Sequence, residues 1–213
     1  MFWEVCTHCL ARSNPWESPR QSRGLTTFWL EPEAYFMIFF MATHATRPGE
    51  TRALQHRDID LSNDVVTIQR AFSDSHLRPF PKSKRVRHIP LDPEWKRLYL
   101  SRPRNLNPEG FVFSDAQGKP RSRNWALKQW NAARDAAGVA HITLYAGTRH
   151  SLASQAGNRG VPLQFISKFL GHSTLEQTKR YTHLAVHPLR EVQRKADVKP
   201  LFSKLSVTGK SDL

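Results

Sequence analysis

A chain of 213 residues, 39% hydrophobic and 23% charged, is long enough for one sizeable domain and too apolar for wholesale disorder. Its 32 Lys and Arg stand against 18 Asp and Glu, a formal charge of +14, which favours a polyanionic partner, nucleic acid before an anionic membrane surface. The longest apolar run, AYFMIFFMA at residues 34–42, is too short to span a bilayer and lacks a signal peptide's flanks, so the expectation is a soluble, cytoplasmic protein.

Residues 1–27 read as a lead-in, with SNPWESPRQSRG as a linker rich in Pro, Ser, Gly and Arg. Its two cysteines, Cys6 and Cys9 in CTHC, have no second pair and read as turn-mates on a short terminal helix. A helix is predicted from Glu31-Pro32 through AYFMIFFMATH, buried over most of its surface. RPGE marks a turn, and GETRALQH, residues 49–56, predicts a second helix. DVVTIQRAF, HLRPF and RVRHIPL are rich in β-formers, so residues 64–91 predict one small antiparallel sheet.

The second half reads as mostly helical. Residues 92–100 predict a helix, and FVFS a short buried strand or turn. RSRNWALKQWNAARDAAG has helical spacing, with Gly138 as its C-terminal cap; Trp125 and Trp130 read as core residues before base-stacking platforms. GTRHSLASQAGNRG and VPLQFISKFLGH each predict a helix closed by glycine. In STLEQTKRY, Glu176 follows Ser173 by three residues, the spacing of a capping box. A last helix is predicted over 189–196, then a tail over 197–213. The expected fold class is mainly α with a small antiparallel β-sheet, an α+β domain over residues 28–196.

One stretch asks for chemistry. LGHSTLEQTKRYTHL, residues 170–184, sets Tyr181 behind Lys179-Arg180 and nine residues after His172. Alone, Tyr181 reads as a packing residue. Tyrosine is a poor nucleophile at neutral pH, so it needs a strongly activated centre. A phosphodiester held by guanidinium groups is such a centre, because its charge rises in the transition state. Arg47, Arg149 and Lys82 are the cations available elsewhere, and arginine's planar fork suits two phosphate oxygens. His183 and His187 stand four apart, but no His-Glu-x-x-His accompanies them and no metal is expected.

Four motifs in order resemble the tyrosine recombinases, the phage-type integrases. TRPGETRALQHRDIDL is similar to the family's first arginine box, and PKSKRVRHIPL to its hairpin lysine and following strand. TRHSLAS resembles the second arginine box, and LGHSTLEQTKRYTHL the Leu-Gly-His box with the nucleophile's Tyr-Thr-His. Together they cover about residues 27–195.

The resemblance implies that Arg47 and Arg149 clamp the scissile phosphate while His172 donates a further hydrogen bond. Lys82 would protonate the departing 5′ oxygen, Tyr181 would attack phosphorus, and Glu50 would orient its neighbours. It implies double-stranded DNA as partner, a homo-oligomer (a tetramer) on DNA, and no cofactor, metal, membrane or small-molecule substrate. It further implies an N-terminal clamping domain, which residues 1–27 are too few to hold, and a tail at 197–213 that docks in trans. One position departs: the family commonly has histidine three residues before the second arginine, where this chain has Ala146. Alanine cannot move a proton, which leaves Tyr145, His150 or water as acceptors. Two other readings stay open: relaxation of DNA like a type IB topoisomerase, and a DNA-binding remnant that does not cut.

Overall fold

The computed structural model describes residues 31–81, 84–103, 105–139 and 141–179. Its centre is α1, Pro32–His44, with proline in the first turn. Residues 34–42 are all buried, so this helix is apolar on every face and the rest of the fold packs around it. Trp95 is the main stone of that packing: its ring stacks on Phe36 at 4.9 Å and its Nε1–H donates to the Phe36 carbonyl at 3.2 Å. Replacing such a fully buried ring by alanine costs roughly 3–5 kcal/mol.

The helix stops at His44 because Ala45 turns into the left-handed region, φ 48°. The second helix, α2, is Pro48–Arg52, shorter than the 49–56 predicted. It ends early because the chain after it has other partners. The Leu54 carbonyl accepts from Val112, Gln55 pairs with Phe111, and His56–Asp58 closes a single 3₁₀ turn.

The predicted single sheet is two sheets. Strands β1 (Ile59–Asp60), β2 (Val65–Ile68) and β5 (Arg87–Pro90) form one, in the antiparallel order β1-β2-β5; β3 (Ala71–Ser73) and β4 (His76–Arg78) form a separate hairpin. DVVTIQRAF is interrupted at Gln69 and Arg70, whose side chains both turn back to the buried Asp58. Register places Val66 between Ile59 and Ile89 on the core face, and Arg87 opposite Ile68 on the same inward side. The alternation of β5 therefore buries an arginine.

Helices α3 (Pro93–Leu100) and α4 (Arg123–Ala136) hold to prediction, capped by Asp92 and Ser122. Gly138 follows α4 at φ 64°. Trp130 is buried and donates to the Ile142 carbonyl, whereas Trp125 is half-exposed under Arg121. FVFS contributes only isolated bridges at Phe111 and Ser114. GTRHSLASQAGNRG is not one plain α-helix: Ala146–His150 is a π-helical turn, continued by α5, Ser151–Asn158. Then come α6, Leu163–Leu170, and α7, Glu176–Lys179. Ser173 lies outside α7, so the expected capping box does not form there; its hydroxyl instead accepts from the Gln177 side chain. Among the described residues no helix is long and apolar enough to cross a membrane.

Candidate functional site

Arg47 precedes α2, where Pro48 fixes the first turn. Glu50, one turn on, folds back: Oε2 accepts from the Arg47 backbone N–H and Oε1 from its Nη1, both at 2.9 Å. The same carboxylate meets Arg87 from β5, with Nη1 at 3.1 Å and Nη2 at 2.7 Å. Glu50 is 2% exposed. Burial alone would raise its carboxyl, but the Arg87 hydrogen bond and charge, with those of Arg47, outweigh it and hold it at about 2. It is ionised at neutral pH.

Arg149, in the π-turn, is fully buried. Its Nη1 donates to the Ala45 carbonyl at 2.5 Å, and its Nη2 to the Leu170 carbonyl. One guanidinium thus ties the end of α1, two residues before Arg47, to the end of α6, two residues before His172. Burial, then the positive charge of Arg47, pull Arg149 down to about 10, still charged at neutral pH. A small apolar cluster of Ala45, Ala153, Ile166 and Leu170 packs this junction.

Gly171 ends α6 at φ 65°, and the His172 N–H reaches back to the Ser167 carbonyl. The turn presents His172, whose Nδ1 lies 2.7 Å from the hydroxyl of the buried Thr178. Thr178 is a site residue that the sequence did not suggest; its one signal is a small polar residue six positions after His172, on the face α7 turns inward. Arg87 is another, and the inward phase of RHIP was its signal.

The structure therefore brings together the three segments that carry Arg47 and Glu50, Arg149, and His172. Lys82 and Tyr181 lie outside the described residues, as do Cys6, Cys9, His183 and His187. Beside Arg47 a cleft of about 440 Å³ opens toward the β3–β4 hairpin, lined by Glu50, Phe72, Arg78, Phe80 and Lys84. Ala146 sits at the start of the π-turn, and the rings of Tyr145 and His150 meet edge-on at 4.9 Å. Among the described residues no three His, Cys, Asp or Glu side chains converge as a metal site would require.

Residues 28–187 match the Phage integrase family. The chain belongs to that family. Curated relatives agree: tyrosine recombinase XerC of Pediococcus pentosaceus is 30% identical over 153 residues, covering 70% of this chain and 49% of the relative. Tyrosine recombinase XerD of Chlorobaculum tepidum is 25% identical over 188 residues, covering 84% and 57%. The chain thus spans about half the length of these integrase-family relatives. Solved structures share the fold alone. The catalytic domain of bacteriophage HP1 integrase is 21% identical at TM-score 0.56, covering 85% of this chain and 89% of that one. XerH site-specific recombinase bound to its difH substrate is 16% identical at TM-score 0.61, covering 93% and 53%. The integrase-family assignment and the mainly helical fold with small antiparallel sheets follow together.

Proposed function

We propose that this chain is the catalytic part of a site-specific DNA recombinase of integrase type, which cleaves and rejoins double-stranded DNA through a 3′-phosphotyrosyl intermediate. The observation that carries this reading is the Arg149 bridge between the Ala45 and Leu170 carbonyls, which draws Arg47 and His172 to one place. Tyr181 attacks phosphorus; the bond to the 5′ oxygen breaks, and Lys82 supplies that oxygen with a proton. The energy of the broken bond stays in the phosphotyrosyl link, so a 5′ hydroxyl can reverse the step on the same or another strand.

Arg47, with 21% of its side chain exposed, is the phosphate's direct guanidinium partner. Arg149 lies behind it and adds fixed positive charge in a water-poor setting, where charge acts strongly. His172 donates to a non-bridging oxygen, with Thr178 fixing the ring. Glu50 touches no DNA; it sets Arg47. The proton of Tyr181 goes to water or to the Tyr145–His150 pair, since Ala146 cannot take it. Arg78 and Lys84 extend the cationic surface along the cleft for the DNA backbone. Assembly as a tetramer on DNA, with residues 197–213 docking in trans, completes the reading.

The test uses nicked duplexes carrying candidate sites, resolved on a denaturing gel. A protein–DNA adduct that disappears in Tyr181→Phe supports the reading. Adduct formation together with relaxation of plasmids lacking any particular site would replace it by a topoisomerase-like enzyme. DNA binding with no adduct would leave a non-catalytic binding module.

A further inference from the structure

The Glu50 carboxylate is saturated. Oε1 accepts from Arg47 Nη1 and Arg87 Nη1, and Oε2 from the Arg47 backbone and Arg87 Nη2. A carboxylate offers about four lone-pair sites, and all four are filled here. Arg87 takes two of them, in the bidentate geometry that arginine and carboxylate prefer. Arg47 is left with one side-chain bond to Glu50, while its Nε and Nη2 have no partner among the described residues. Arg87 is 8% exposed and reaches a third segment as well. Its Cδ and Nη1 stand 3.0 Å from where a Cβ on Gly171 would be, so the side chain packs directly under the turn that presents His172.

We infer that Arg87 is a positioning residue for the cleavage step: it occupies Glu50 so that Arg47 keeps its guanidinium for phosphate, and it supports the Gly171–His172 turn. Without Arg87 the buried Glu50 anion has Arg47 as its remaining hydrogen-bonding cation. The two then close into a bidentate pair, and the phosphate loses its fork. A buried charge that loses a partner is costly, and a tighter pair with the remaining cation offsets part of that cost. The inference rests on the recombinase reading above.

The experiment measures single-turnover cleavage of a nicked duplex chosen by the wild-type chain from a random-sequence pool. Rate constant, adduct amplitude, DNA affinity and melting temperature are recorded separately. Arg87→Met is expected to lower the rate constant at saturating DNA by about 30- to 100-fold, the scale of an ångström's misplacement, with affinity changed less than about threefold. Adding Glu50→Gln to Arg87→Met is expected to recover about tenfold of that loss, because a neutral amide releases Arg47. Arg87→Lys, which keeps the charge and loses the fork, falls between wild type and Arg87→Met and serves as the test if Arg87→Met does not fold.

A lowered amplitude or melting temperature with the wild-type rate constant would make Arg87 purely structural and overturn the inference. So would a double variant no faster than Arg87→Met. If the wild type itself forms no Tyr181-dependent adduct, the recombinase reading falls first, which separates the two failures.

Discussion

Arg149 Nη1 and the Ala45 carbonyl meet at 2.5 Å, and the residue making that carbonyl holds a left-handed φ of 48°. An ordinary L-residue pays about 1–2 kcal/mol for this conformation. The fully buried Ala45 methyl packs in the cluster with Ala153, Ile166 and Leu170, and the turned carbonyl receives the guanidinium. The strain is offset by both.

Arg149 and Arg47 should therefore fail differently. Arg149→Ala strands two buried main-chain carbonyls, which costs about 1–3 kcal/mol each. Arg47→Ala removes one side-chain bond to Glu50, whose carboxylate keeps both Arg87 bonds and the main-chain N–H of residue 47, so its cost is expected to be the smaller of the two. Both variants are expected to lose cleavage, but only Arg149→Ala should show a large fall in the urea midpoint. Equal midpoints for the two would contradict the clamp.

Glu50 gives the fold an acid limit. Its carboxyl sits at about 2 in the folded chain against an ordinary 4.5. A depressed carboxylate stabilises above its unfolded value, and the contribution fades as pH falls from 4.5 through 2. The stake is about 3 kcal/mol at neutral pH. In Glu50→Gln the stability curve should be flatter over that window; a curve parallel to wild type would remove Glu50 from the account.

Three glycines make a graded series. A Cβ on Gly49 would stand 2.3 Å from the Phe72 carbonyl oxygen, so α2 and β3 can be this close only without a side chain. Gly49→Ala must move backbone and is expected to cost about 3 kcal/mol, at the upper end for overpacking. Gly171→Ala adds the strain of φ 65° to a 3.0 Å encounter with the more pliable Arg87, about 2 kcal/mol. Gly118→Ala meets open space at φ 76° and should cost only the backbone strain, about 1 kcal/mol. Melting curves that reverse this order would refute the packing argument.

The local rules of sequence were enough for α1, α3, α4 and α6, while the arginine boxes were grouped by their resemblance to the family. Pro32, Asp92 and Gly138 mark ends that the structure keeps. What sequence could not show was where polar side chains turn inward. Gln69 and Arg70 split the predicted sheet because Asp58, eleven residues away along the chain from Gln69, collects them both. Arg149 was expected on a plain helix, as one of two arginines that the family resemblance sets on phosphate. It is instead buried in a π-turn, because two carbonyls distant in sequence satisfy it. Arg87 was passed over as part of a strand motif, although its phase with Ile89 already placed it inside.

DNA binding should depend steeply on salt. Each lysine or arginine that neutralises a phosphate releases counterions and adds to the slope. With +14 overall and Arg78 and Lys84 beside the Arg47 cleft, affinity should fall at least tenfold between about 50 and 200 mM salt, a range over which 6–10 phosphate contacts lose roughly 10³–10⁵. A dissociation constant unchanged over that range, measured by fluorescence anisotropy, would contradict an interface built on phosphate contacts.

His44 sets a second pH window, nearer neutrality. It is fully buried, stacks on Phe40 at 4.2 Å, and its Nε2 accepts from the Asp92 backbone N–H at 3.1 Å. That bond leaves the proton on Nδ1, which faces the Phe40 carbonyl at 3.1 Å. Protonating Nε2 would break the link between α1 and the cap of α3. Burial lowers the imidazole to about 4, against 6.5 when exposed, with the Phe40 carbonyl opposing only in part. A lowered histidine stabilises fully above 6.5, and the contribution is lost as pH falls from 6.5 toward 4. About 3 kcal/mol is at stake by pH 4. His44→Gln should cost stability at pH 7.5, where it disturbs the Asp92 bond, yet lose less than wild type on acidification to pH 4.5. Equal acid sensitivity in the two proteins would assign the transition to Glu50 and the other carboxylates instead.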